Sequence, residues 1–177
     1  CGFVIDGLVA NVAKNHATFI GEMKPNAVLK NIGFTNVEMS GTTLLTRTTN
    51  GMISNVYVQY KKIGVTNGQT LLARDNATVE NIFVDASDAE IAGGSLYGIL
   101  GSLHAYEKNY PVYGIVPQGY VSYVTCRTNG SGHGFASAEA LKSDSAAWSA
   151  VQAFAASCNF WHVDTETGSV TFGNSRG

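Results

Sequence analysis

Asn31-Ile32-Gly33-Phe34, Asn55-Val56-Tyr57-Val58 and Asn81-Ile82-Phe83-Val84 are three versions of one phrase, 24 and 26 residues apart. Each places an asparagine ahead of apolar residues one and three positions later. The match extends backwards, because Leu29, Ile53 and Val79 stand two positions before each asparagine. Positions one and three after the asparagine share a face of a strand, whereas the position two before it has the opposite parity. A straight strand cannot turn both sets inward, but a strand bent at the asparagine can. Asparagine enters the left-handed backbone region more readily than most residues carrying a Cβ. The expectation is therefore a corner at Asn31, Asn55 and Asn81, with a column of amides stacked at the strand spacing of about 4.8 Å. A row of ligand-binding amides is the alternative reading of the same column.

A second block recurs with the first. Thr18-Phe19-Ile20, Thr43-Leu44-Leu45 and Thr70-Leu71-Leu72 alternate with the asparagine phrases, and Ser95-Leu96-Tyr97 is a weaker copy. A degenerate first copy of the asparagine phrase is read with Asp6 in the asparagine slot, between Val4 and Val9. Units of about 25 residues with two short apolar segments and polar corners predict a parallel β-helix, or solenoid. A βαβ sheet would need helical patterns between the strands, and none is legible between Val4 and Val84. About four to five coils are expected, the fifth through Asn109-Tyr110-Pro111-Val112.

The repeats are assigned to residues 1–124, although no register is legible for 101–124. Residues 125–177 form an expected C-terminal cap. Val121-Ser122-Tyr123-Val124 reads as a strand and Thr128 to Gly134 as a loop. Ser137 and Ser145 read as N-caps of Ala-rich helices. Phe160 to Phe172 reads as a hairpin around Thr165-Glu166-Thr167-Gly168. Helix and hairpin would cover the last coil, which otherwise exposes core and strand edges.

Composition narrows the function. The chain has 177 residues, 14% of them charged, with a net charge of −2. That size suits one domain, or one with an appendage. No basic footprint points to nucleic acid, and no apolar run reaches the roughly 18 residues of a membrane span. No signal peptide is expected. The chain opens on Cys1 and an apolar run, which reads as a fragment of a longer polypeptide or, alternatively, as a lipid-modified cysteine. Cys1, Cys126 and Cys158 form no disulfide framework.

Candidate chemistry is sparse. The column before the asparagines reads Ile5, Lys30, Ser54, Glu80, and no column stacks the two carboxylates that glycoside chemistry asks for. Asp85, Asp88 and Glu90 cluster without the glycine and oxygen-ligand pattern of a calcium loop. His16, His104, His133 and His162 lack zinc-ligand spacing. No G-x-S-x-G motif is present. Catalytic residues, metal ligands and cofactors are therefore not assigned, although His104 or Glu107 beside Asp88 would alter that assignment. Two columns are candidate ligand contacts. Glu22, Arg47 and Arg74 share an offset, and Arg47 and Arg74 suit an acidic glycan or carboxylate; the alternative is a surface ion ladder, with Glu22 paired to Arg47 and Arg74 to Asp75. Gly33, Tyr57 and Phe83 form the outward column, where exposed Tyr57 and Phe83 suit a sugar or protein, unless the C-terminal cap or another chain covers them.

The stretches Val28–Val37 (VLKNIGFTNV), 51–59 (GMISNVYVQ), 137–144 (SAEALKSD) and 160–172 (FWHVDTETGSVTF) resemble β-helical repeat regions of large bacterial surface proteins, of adhesin type, and of phage tail or virion proteins. That resemblance implies an extracellular, cell-surface or virion-exposed scaffold for adhesion or host recognition, and it carries no catalytic residue across. The expected function is a non-enzymatic module for display, adhesion or contact with a glycan or host-surface receptor. Its partners would include neighbouring domains of the parent chain, and a homo-oligomer is possible on the same scaffold. The alternatives are a phage tail-fibre or virion component and a carbohydrate-active enzyme, a polysaccharide lyase or hydrolase.

Overall fold

Asn31, Asn55 and Asn81 have φ of 57°, 54° and 52°. These left-handed angles reverse the alternation of side chains without ending the strand. In the computed structural model, which describes residues 2–11, 17–40, 42–49, 51–64, 78–92, 112–123 and 133–174, the asparagines lie inside three strands. Before them come β1 (Phe3–Asp6), β2 (Val9–Asn11) and β3 (Ala17–Met23). The asparagines occupy β4 (Val28–Ser40), β6 (Met52–Gly64) and β7 (Thr78–Asp85), and β5 is Thr42–Thr49. The short strands β8 (Glu90–Ala92), β9 (Val112–Ile115) and β10 (His133–Phe135) follow.

The fold is mostly β. An eight-stranded sheet runs in the order β1-β4-β6-β7-β9-β10, with β2 also on β4 and β8 also on β6. All its pairings are parallel. A second, two-stranded sheet pairs β3 with β5, again in parallel. Ile32, Val56, Ile82 and Val112 are successive partners, as are Phe34, Val58, Val84 and Gly114.

Both sides of each corner feed one core. Ile53, Val56, Val58, Ile82 and Val84 are fully buried together with Phe34, and Leu44 joins them from β5. Each such side chain contributes roughly 1.5–3 kcal/mol relative to an exposed position. The residues between them face the other way, and Gly33, Tyr57, Phe83 and Tyr113 follow one another across the sheet.

The C-terminal segment lies on that outward column. It comprises α1 (Ala138–Ser143), α2 (Ser145–Ser157) and an antiparallel hairpin of β11 (Trp161–Val163) and β12 (Val170–Phe172). Leu141, Val151, Phe154, Trp161 and Phe172 bury Tyr57, Phe83 and Tyr113 in a second core. Gly33 is the gap in the aromatic column, and a Cβ there would stand 3.0 Å from the Phe172 ring. Helices and hairpin thus flank the sheet and cover the outward column, the alternative to exposed aromatics given above.

Several local expectations are corrected. Asp6 does not occupy the asparagine slot, because Phe3 pairs with Ile32 and Asp6 with Thr35. The first copy is therefore displaced, and Asp6 serves a second bend. There Gly7 and Asn36 have φ of 71° and 53°. Thr35 Oγ1 and Asn36 Nδ2 each donate to Asp6 Oδ1 at 2.7 Å. The strand His133–Phe135 begins inside the expected loop 128–134 and runs one residue past it, and the 3-10 helix Gln118–Tyr123 takes in residues 121–123 of the strand expected at 121–124. Ser137 caps α1, but Asp144 instead of Ser145 caps α2, accepting from the Ala147 amide at 2.9 Å. Residues 70–72 and 95–97, the later copies of the second block, lie outside the described residues.

Val56 is 0% exposed and Phe3, in the same column, is 67% exposed. Val56→Asp places an unpaired carboxylate in the core and is expected to cost more than about 3 kcal/mol. Phe3→Asp is expected to stay within about 0.5 kcal/mol of the parent. Urea unfolding followed by circular dichroism measures both; equal effects would overturn the column assignment.

Candidate functional site

The asparagine corners bring their amides into a hydrogen-bonded column. Asn55 Nδ2 donates to Asn31 Oδ1 at 2.9 Å, and Asn81 Nδ2 donates to Asn55 Oδ1 at 3.0 Å. Asn55 is buried at 8% exposure. Its Oδ1 also meets the Trp161 indole Nε1 at 3.3 Å and the Ser157 hydroxyl at 2.8 Å. The single Ser157 proton is shared with the Phe154 carbonyl, 2.6 Å away. Asn55 thus joins the sheet to α2 and β11, and its amide is engaged on both ends. The repeat reveals the column, but not Ser157 or Trp161. The available signal was general: a buried indole N–H needs an acceptor.

The aromatic candidates are not presented to solvent. Tyr57 is 2% and Phe83 1% exposed. Their rings stack at 6.4 Å with 4° between planes, and Trp161 meets Tyr57 edge-on at 6.2 Å. Burial, followed by the Asp85 charge, pushes the Tyr57 phenol far above its usual value, so it stays protonated. Tyr57 and Phe83 therefore belong to the second core, which corrects their reading as exposed contacts.

The register does not set Glu22 directly opposite Arg47. A shift between Thr18 and Ile20 sets Glu22 opposite Thr48, and its carboxylate pairs with Lys24 at 2.8 Å. Arg47 lies on β5, whereas Arg74 and Asp75 lie outside the described residues. Another charged column is present on β4, β6 and β8, where Glu38, Lys62 and Glu90 are successive partners. Lys62 bonds Glu90 at 2.9 Å, and Lys61 bonds Glu38 at 2.6 Å. The Lys61 hydrogen bond and charge hold the Glu38 carboxyl below its ordinary range. These exposed pairs are screened by solvent and add little stability.

The acidic cluster is dispersed among local partners. Asp85 accepts from the Ser87 amide and hydroxyl at 3.0 and 2.7 Å. Glu90 faces Lys62, and Asp88 is exposed. Among the described residues, no three His, Cys, Asp or Glu residues group to hold a metal ion. His162 bonds the Gly173 carbonyl through Nε2 at 2.9 Å, whereas His16, His104 and Glu107 lie outside the described residues. No helix among the described residues is long and apolar enough to cross a membrane. No family model, curated protein or solved structure matches the chain.

Asn55→Ala leaves the Asn81 and Trp161 donors without their acceptor, Ser157 keeping the Phe154 carbonyl, and puts a Cβ-bearing residue without side-chain hydrogen bonding at positive φ. The expected loss is about 3 kcal/mol. Asn55→Gly restores the backbone freedom alone and should recover about 1 kcal/mol. Urea midpoints compare the two, and equal stability would show that the corner conformation contributes nothing.

Asp164 supplies a pH test. Its Oδ1 accepts from the Thr167 and Glu166 amides at 3.1 and 2.8 Å. The Thr167 bonds lead in holding its carboxyl below the usual carboxylate range. A depressed folded-state pKa stabilises above the unfolded pKa, and that stability is lost as pH falls through the folded value. Asp164→Asn should therefore flatten the stability profile below about pH 4. An unchanged acid limb in pH-dependent urea melts would refute this role.

Proposed function

We propose that the chain is a parallel β-solenoid serving as a non-enzymatic module of a larger surface-exposed protein, for display, adhesion or receptor contact. The observation that carries this reading is the Asn31-Asn55-Asn81 column. It stacks like on like along the sheet, which is the economy of a repeat scaffold. The neighbouring polar groups serve the same end. Asp6 ties a second bend, Asp85 ties its own turn, and Glu38 and Glu90 bind lysines of β6. The parallel pairings preserve equivalent columns over successive strands, as a solenoid requires.

The burial of Tyr57 and Phe83 moves any contact surface away from that flank. Arg47 and Arg74 remain the proposed contacts for an acidic glycan. A glycan array paired with reducing-sugar and unsaturated-product assays tests the module. Binding without product, weakened at least tenfold by Arg47→Ala or Arg74→Ala, is the expected outcome. Product formation lost in Asp85→Asn or Asp88→Asn would replace the module with a carbohydrate-active enzyme.

A further inference from the structure

We draw no further inference here: the strongest candidate, the surface patch of exposed Phe3, Val9 and Phe19 on the edge strands β1, β2 and β3, carries no proposal because nothing in the structure shows what covers it.

Discussion

One carboxamide oxygen organises two parts of the molecule. Asn55 Oδ1 accepts from Asn81 within the sheet and from Trp161 on the C-terminal hairpin, and it meets the Ser157 hydroxyl of α2. The backbone imposes the position: a φ of 54° turns the side chain out of the strand's alternation and along the corner. Asparagine combines tolerance of that angle with a donor and an acceptor. Glycine would supply only the angle, and aspartate would lack the donor for Asn31.

The corner also makes two cores from one sheet. Residues on both sides of it point into the first, so Ile53 and Val56 are buried together despite opposite parity. The outward parity is left with Tyr57, Phe83 and Tyr113, too much aromatic area to remain wet. The C-terminal helices and hairpin resolve that exposure, and Gly33 admits Phe172 where a larger residue would meet its ring. A surface that resembles an aromatic binding strip in one dimension becomes an internal packing surface in three.

Charge has a smaller and different part. Glu38, Lys62 and Glu90 alternate in sign across three strands. Displacing β6 by a single residue would exchange Lys62 for Lys61 between the same two glutamates, so it is the apolar set, turned outward by such a slip, that specifies the register. Such exposed pairs add little stability in water. The arrangement agrees with a scaffold whose polar groups largely address one another, and this supports the proposed module more than any isolated candidate residue does.

The amino-acid sequence by itself determined the corners and the columns around them. Asn31, Asn55 and Asn81 recur with apolar residues at fixed offsets, and repetition turns a weak local preference into a register. The same logic failed where repetition failed. Asp6 has no equivalent in its column, so only pairing with Thr35 assigns it to the second bend. His133–Phe135 is too short and glycine-rich to read as a strand until β9 lies beside it. Contacts spanning a hundred residues, such as Ser157 with Asn55, leave no periodic trace. Tertiary structure alone decided that Tyr57 and Phe83 are covered, because strand parity gives the direction of a side chain but not what lies beyond it.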